Sequence, residues 1–265
     1  NYEKSNQLSE HDKGRVLAFA PHYNTDKSLN RYKAAFGEEL PALPGTLEEI
    51  KLIKKLFKSR TFTEGKATED RFKREVQNAE IIHLAMHTIT NDDEPLQTSL
   101  IFNPFKDSIE DGRLSAEEIL NFRLNASLAV LSACNTGSGQ IREGEGIMGL
   151  SRSFLQAGCP SLVQNLWVMD DNSGKKLVKD FYYGLAKGLN TSMALHAAKL
   201  NHLRTARKLS SHPHFWAGLI LLGQETEIDI SQKGLPKWPI YIAFSLLLIV
   251  AVFGNKTKGP KKKNL

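Results

Sequence analysis

Cysteine is scarce in this sequence, which has only two among its 265 residues, Cys134 and Cys159. Two cysteines are too few for a disulfide framework, which excludes a small secreted domain stapled by disulfides. We therefore expect both side chains to be thiols. Charged residues make up 24% and hydrophobic residues 41% of the chain, a balance that excludes an intrinsically disordered protein. The length suits one large α/β domain or two small ones.

An excess of positive charge is missing from most of the chain, although the net charge is +6. Five of these charges lie in the C-terminal tail, on Lys256, Lys258, Lys261, Lys262 and Lys263, which leaves +1 for residues 1–255. Because residues 1–255 are nearly neutral, the net charge does not indicate a basic surface that binds nucleic acid. We therefore expect no nucleic-acid partner.

Charge is missing altogether from the 17 residues of 238–254. As a helix this segment would be roughly 25 Å long, which is near the short end of a membrane span. Trp238 and Tyr241 lie at one border and the lysine tail follows the other, as at the two surfaces of a membrane. We predict a transmembrane helix at 238–254, with a buried core helix as the alternative.

Lysine is less frequent before this segment than after it. Two lysines, Lys233 and Lys237, precede the segment, and five follow it. Lysine-rich flanks tend to stay in the cytoplasm. We therefore expect a single-pass membrane protein with a cytoplasmic tail and an extracytoplasmic domain, which requires a signal peptide upstream. The alternative is a cytoplasmic domain held by a C-terminal tail anchor.

Methionine is absent from position 1, so we expect the chain to be a fragment of a longer protein. The predicted organisation is a linker, a globular domain, a second linker, a transmembrane helix and a basic tail, at residues 1–13, 14–224, 225–237, 238–254 and 255–265.

Short apolar runs alternate with helical patterns along the globular part. The strongest strand candidates are VLAFA, IIHLA, SLIF, LAVLSA and SLVQNLW, at residues 16–20, 81–85, 99–102, 128–133 and 161–167. Uninterrupted apolar runs are typical of parallel strands that are buried on both faces. The alternation predicts an α/β fold with a mostly parallel central sheet flanked by helices. We expect Thr46 to cap one helix and Ser115 with Glu118 to form a capping box on another.

A histidine and a cysteine follow two of the predicted central strands. His87 comes just after IIHLA and Cys134 just after LAVLSA, and 47 positions separate them. Ligands bind at the carboxyl ends of strands in such sheets, so neighbouring strands would bring the two side chains together. A nearby imidazole that takes the thiol proton makes a cysteine nucleophilic at neutral pH. The alternative for Cys134 is a small buried apolar side chain.

We expect structural roles for His83 and for the second cysteine, Cys159. His83 and His87 are four positions apart but lack the glutamate of a zinc-binding HExxH helix, and their segment is predicted to be a strand. We expect His83 and Cys159 to pack inside, and we expect no metal and no cofactor.

Four segments together resemble the CHAT domain, a caspase-like domain family related to separase. They are IIHLAMHT, LSACNTG, GEGIMGLSRSFLQAGCPSLVQNLWVMDD and HPHFWAGLILLG, and they occur in order between about Val16 and Gly223. The resemblance implies a caspase-like sandwich and a cysteine protease with a His–Cys dyad at His87 and Cys134. It also implies tetratricopeptide repeats upstream, as a domain that senses a partner.

Thr88 is a departure from this family pattern, because caspase-like enzymes commonly have glycine directly after the histidine. The resemblance implies that the backbone N–H at this position and that of Cys134 form the oxyanion hole. A backbone donor survives substitution of the side chain, so Thr88 retains this predicted role.

Two aspartates, Asp170 and Asp171, follow the SLVQNLW strand. The separase-like spacing from Leu166 to Asp170 favours an acidic pocket that selects arginine or lysine before the scissile bond. The alternative is that Asp171 caps the next helix. We therefore expect a membrane-anchored cysteine endopeptidase acting on a protein or peptide substrate. The alternative is a non-catalytic signalling or scaffold module of the same fold that binds protein partners.

Overall fold

The apolar runs of the sequence form the centre of a six-stranded sheet. The computed structural model describes residues 16–23, 32–37, 40–132 and 145–228, within the first of two units of the chain, Asn1–Gln232. The strands of this sheet are β1 (Val16–Ala20), β2 (Ser59–Thr63), β3 (Ile81–Leu84), β7 (Leu128–Leu131), β8 (Ser161–Asn165) and β9 (Leu219–Gly223). A smaller sheet contains β4 (Thr88–Ile89), β5 (Ser99–Ile101) and β6 (Arg113–Ser115).

The strand order of the large sheet is β2-β1-β3-β7-β8-β9. All neighbours run parallel except β9, which is antiparallel to β8 at one edge. The α/β prediction is therefore confirmed, with a mixed sheet. The three strands of the smaller sheet are antiparallel, in the order β4-β5-β6.

In the described part of the chain, six helices cover the two faces of the large sheet. They are α1 (Pro44–Leu56), α2 (Glu69–Glu75), α3 (Ala116–Leu120), α4 (Glu145–Gln156), α5 (Asp171–Ala186) and α6 (Thr191–Thr205). Residues 32–36 are also helical. Two apolar clusters result, which we name core A, with side chains from α2, α3 and α4, and core B, with side chains from α1, α5 and α6.

Strand β1 shows how the apolar runs supply both clusters. Leu17 and Phe19 point into core A, whereas Val16, Ala18 and Ala20 point into core B. Successive side chains of a strand alternate between the two faces, so a strand buried on both faces must be apolar at every position. This requirement explains why the central strands were visible in the sequence.

Several helix ends follow the predicted chemistry. The capping box of Ser115 and Glu118 is confirmed, with each side chain accepting a backbone N–H of the other residue. The predicted cap at Thr46 is wrong, because α1 begins two residues earlier at Pro44, after Leu43. Proline is favoured in the first helical turn because its missing N–H would have no partner there. The Thr46 hydroxyl instead donates to the Leu43 carbonyl at 2.8 Å.

The membrane prediction is contradicted. No helix in the described ranges is long and apolar enough to cross a bilayer, and the longest, α5, has 16 residues and carries charged side chains on its exposed face. A span needs about 17–25 predominantly apolar residues. The predicted transmembrane helix and the single-pass membrane location with its two possible orientations are therefore not retained. The segment 238–254, on which they depended, lies outside the described residues.

Candidate functional site

His87 lies three residues beyond the end of β3 and is fully buried, with 0% of its surface exposed. Its ring nitrogen Nε2 is 2.7 Å from the backbone carbonyl oxygen of Pro41, three residues before α1. A carbonyl oxygen only accepts hydrogen bonds, so a neutral imidazole in this position carries its proton on Nε2. Nδ1 is then the nitrogen that is able to take up a proton.

Tyr23 holds His87 from the side of β1. Its hydroxyl accepts the backbone N–H of His87 at 3.2 Å and donates to the carbonyl of Ile101. Its ring meets the imidazole edge to face, with ring centroids 4.6 Å apart. Burial, followed by the charge of nearby Tyr32, raises the pKa of Tyr23 well above its usual value, so the hydroxyl remains protonated.

The sequence reasoning missed Tyr23. Its signal was present, because Tyr23 follows the apolar run of β1 as His87 follows that of β3, and the two strands are parallel neighbours. The rule that side chains after parallel strands gather at one edge of the sheet would have included it.

The register of the sheet relates His87 to the position of Cys134. Strands β3 and β7 are parallel neighbours in which Leu84 is paired with Leu131. His87 and Cys134 each come three residues after these paired leucines. Cys134 itself lies outside the described residues, within the range 133–144. The prediction that the two residues follow adjacent strands is confirmed, and their side-chain contact stays a prediction.

Residues before and after this range form hydrogen bonds with side chains of the neighbouring strand β8. Before it, the Asn165 side chain donates to the backbone carbonyl of Ser132 at 3.1 Å. After it, the Ser151 hydroxyl in α4 donates to the Gln164 side-chain oxygen at 2.5 Å. Gln164 and Asn165 are buried, so these bonds attach Ser132 and helix α4 to β8.

Thr88 begins β4, and its backbone pairs with Leu100 of β5. The extended backbone of a strand suits a β-branched side chain. The preceding carbonyl, that of His87, accepts the backbone N–H of Ile101 at 3.0 Å, so β4 and β5 also fix the peptide unit between His87 and Thr88. The oxyanion role of Thr88 and Cys134 stays a prediction.

The helix cap lies at Asp170, one residue before the position that the capping alternative gave. The Asp170 side chain accepts the backbone N–H of Ser173 at 3.0 Å in the first turn of α5, and the residue is exposed. Asp171 is the first residue of α5, and its side chain is outside the described part of the structure. The predicted pocket role of the two carboxylates stays a prediction.

His83, the other histidine of the IIHLAMHT motif, points into core B and is also 0% exposed. Its Nε2 lies 3.1 Å from the Glu49 carboxylate in α1, and its Nδ1 is 3.0 Å from the Tyr182 hydroxyl in α5. Burial raises the pKa of Tyr182 well above its usual value, and the charge of Glu49 adds to this shift. The prediction that His83 packs inside is confirmed, and its two side-chain partners were not predicted.

Cys159 is buried, and burial raises the pKa of its thiol to about 12. Its Sγ is 3.3 Å from the Ser161 carbonyl oxygen. A thiol with this pKa is almost entirely protonated at neutral pH and is therefore a poor nucleophile. The predicted packing role of Cys159 is confirmed.

One cluster of three carboxylates among the described residues has the spacing of a metal site. Oxygen atoms of Glu69, Glu110 and Glu118 lie within 4.8 Å of one another. The Lys73 ammonium is 2.8–2.9 Å from all three, so it already supplies the cation that this group requires. This arrangement is an ion-pair network, with Glu69 almost fully buried within it.

Comparison with a curated protein gives a distant relative. Tetratricopeptide repeat protein 28 of Homo sapiens is 25% identical over 218 residues, a match that covers 71% of this chain and 9% of that protein. The chain therefore spans less than a tenth of the length of this relative.

Two solved structures superpose on most of this chain at low sequence identity. The separase–securin complex of Saccharomyces cerevisiae superposes with a TM-score of 0.47 at 16% identity, covering 82% of this chain and 12% of that one. The Arg-specific cysteine proteinase gingipain R gives a TM-score of 0.48 at 8% identity, covering 82% of this chain and 48% of that one.

The family itself follows from the sequence match. A family model described as the CHAT domain matches residues 4–224, which is most of the chain. The matched range includes every described strand and helix. The expected resemblance is confirmed: this chain belongs to the CHAT domain family.

Proposed function

We propose that this chain is a cysteine endopeptidase in which His87 and Cys134 form the catalytic dyad. The observation that carries the proposal is the β3–β7 register, in which each residue comes three positions after the paired residues Leu84 and Leu131. The family to which the chain belongs supports the same two positions.

In the proposed reaction, Nδ1 of His87 takes the proton of the Cys134 thiol, and the sulfur attacks the carbonyl carbon of a peptide bond. The imidazolium then gives its proton to the leaving amine as the C–N bond breaks. Water hydrolyses the resulting thioester and regenerates the thiol. The Pro41 carbonyl supports this cycle, because it holds Nε2–H and thereby leaves Nδ1 to exchange the proton.

Alkylation of Cys134 by iodoacetamide tests the dyad without knowledge of the substrate. Only two cysteines are present, and the buried Cys159 with its raised pKa should react slowly in the folded protein. We expect rapid modification of Cys134 at pH 7, measured by peptide mass mapping, and a rate at least tenfold lower in His87→Gln. Cys159→Ala is the matched control and should leave the rate unchanged. Equal rates in the wild-type protein and His87→Gln would refute the dyad.

We also propose that a basic residue precedes the scissile bond, because Asp170 and Asp171 follow β8, the strand next to β7. Asparagine caps helices as well as aspartate does, so Asp170→Asn removes the charge but retains the cap. With Asp171→Asn as the partner variant, we expect a loss of kcat/KM on arginine substrates of tenfold or more in at least one variant, and little change on leucine substrates. Equal cleavage of both substrates by the wild-type protein would contradict this preference.

A non-catalytic binding module is the second candidate, and the complete burial of His87 favours it. A buried imidazole that only supports the fold would not activate a thiol. In that case Cys134 would alkylate no faster than a free thiol of ordinary pKa, and His87→Gln would lower stability alone. The curated relative is named for its tetratricopeptide repeats, which supports the proposal that an upstream repeat segment binds a protein partner in either case.

A further inference from the structure

A shallow groove separates α1 from α5 on the outer surface of the helices that cover core B. Two lysines form each of its walls, Lys51 and Lys55 on α1 and Lys175 and Lys179 on α5. The lysines of each pair are four positions apart, so each pair projects from one helix face about one turn apart. Two carboxylates also line the groove: Glu48, which pairs with Lys175, and Glu49, whose carboxylate is 3.1 Å from the buried His83. Positive charge therefore predominates on both walls.

Most of this charge has no partner among the described residues. Lys175 is 3.1 Å from the Glu48 carboxylate at one end of the groove. No ion pair with a described residue is formed by Lys51, Lys55 or Lys179. Like charges on facing helices repel one another, and an anionic ligand between them would relieve that repulsion.

The floor of the groove is apolar. It is formed by the half-buried side chains of Leu52 and Tyr183, between the two lysine walls. The volume is about 260 Å³, slightly below that of a small-molecule pocket and too small for a folded domain. An isolated phosphate would gain nothing from this floor, whereas a polypeptide segment would place its aliphatic groups on it.

We propose that this groove binds an extended acidic segment of a partner protein. Successive side chains of an extended peptide point to opposite sides, so consecutive glutamates reach the two lysine walls in turn. Side chains two positions apart lie about 6–7 Å from each other on one side, which matches the spacing of lysines one helical turn apart. The methylene groups of the glutamates then pack on Leu52 and Tyr183. This site does not depend on the proposed catalytic activity.

The test measures fluorescence anisotropy of a fluorescein-labelled peptide of eight glutamates with the full 265-residue chain. The test variant is Lys55→Glu with Lys179→Glu. The matched control is Lys66→Glu with Lys208→Glu, which makes the same change of charge at two exposed lysines outside the groove. We expect saturable binding that weakens with added salt, a loss of at least tenfold in the test variant and less than a twofold change in the control.

Two further measurements keep the result interpretable. The neutral pair Lys55→Gln with Lys179→Gln should bind with intermediate affinity, and circular dichroism should show that every variant is folded. A peptide of eight glutamines should not bind. The absence of saturable binding to folded wild-type protein, or an equal loss in the two double variants, would overturn the proposal. Binding to phosphatidylserine vesicles that depends on Lys55 and Lys179, without peptide binding, would also overturn it in favour of a lipid surface.

Discussion

His83 and His87 belong to one short motif, and both are completely buried, yet their surroundings differ. His83 lies within β3, between a carboxylate from α1 and a hydroxyl from α5. His87 lies beyond the end of the same strand, where a backbone carbonyl holds one ring nitrogen. His83 contacts side chains of two helices that pack on the sheet, whereas His87 lies at the edge where the parallel strands end.

Burial alone therefore does not separate His83, which packs inside the core, from His87, for which we propose a catalytic role. The position along the strand and the type of partner are more informative. Inside core B both ring nitrogens of His83 face side chains, with Nδ1 hydrogen-bonded to the Tyr182 hydroxyl and Nε2 3.1 Å from the Glu49 carboxylate. For His87, the Pro41 carbonyl on Nε2 fixes the neutral tautomer that carries its proton there, so Nδ1 is the nitrogen that accepts a proton.

The largest expected effect comes from the same substitution at the two histidines. His87→Gln should lower peptide cleavage by at least 100-fold, because proton transfer by a positioned base contributes about 10²- to 10⁴-fold. His83→Gln should retain cleavage within about threefold but lower the free energy of unfolding by roughly 1–3 kcal/mol, because Glu49 and Tyr182 lose their partner. Cleavage of a peptide library and urea unfolding measure the two quantities.

Cys134→Ala serves as the inactive reference in these assays. If His83→Gln abolished cleavage while the protein remained folded, the assignment of roles to the two histidines would be wrong. The same conclusion would follow if His87→Gln retained full activity.

A smaller effect is expected from the two tyrosines that contact these histidines. Tyr23→Phe keeps the ring against His87 but removes the hydroxyl that bridges the His87 N–H and the Ile101 carbonyl. We expect kcat to fall roughly tenfold, because the imidazole is less well positioned. Tyr182→Phe is the matched control on the other face, and it should leave kcat unchanged. Both variants should lose about 1 kcal/mol of stability.

The tyrosine pair also separates positioning from stability. A positioning role of Tyr23 predicts a loss of kcat with little change in KM, and a lower rate of Cys134 alkylation. Equal kinetic effects of the two substitutions would show that general destabilisation, and not the contact with His87, causes the loss.

The Glu49 carboxylate provides a still smaller effect that is confined to stability. Glu49→Gln keeps the size of the side chain but replaces the charged partner of His83 Nε2. We expect the free energy of unfolding to fall by about 1–2 kcal/mol, with the rate of Cys134 alkylation unchanged. Thermal unfolding and alkylation of the same sample would check both parts, and a slower alkylation would show that the two histidines are coupled through β3.

The comparison also shows how much of the molecule could be predicted from its sequence. The strand that carries His83 was recognised because β3 is buried on both faces and is therefore apolar almost throughout. Strand β2 was missed because it is an edge strand, SRTFT, with partly exposed polar side chains. The short strands β4 and β6, with two and three residues, carry too few positions for a periodic signal.

The candidate site was predictable only where it depends on strand ends. His87 follows an apolar run and could be singled out, as could Cys134. The Pro41 carbonyl could not, since every residue has a backbone carbonyl and only the path of the chain before α1 brings this one to the imidazole. The partners of His83 were hidden for a similar reason, because Glu49 and Tyr182 come from helices far apart in the sequence.

The smallest expected effect concerns alkaline pH and should be the same on both sides of the comparison. Burial raises the pKa of Tyr23 and of Tyr182 well above the usual value of about 10. Above pH 10 the unfolded chain releases these two protons and the folded protein does not, so each tyrosine lowers stability as the pH rises. Tyr23→Phe and Tyr182→Phe should each reduce the loss of unfolding free energy between pH 9 and pH 11 by about 1 kcal/mol. Urea unfolding at the two pH values measures this difference. A reduction in only one variant would mean that the hydroxyl of the other tyrosine ionises within the folded protein, and that the two hydroxyls differ in environment as the two histidines do.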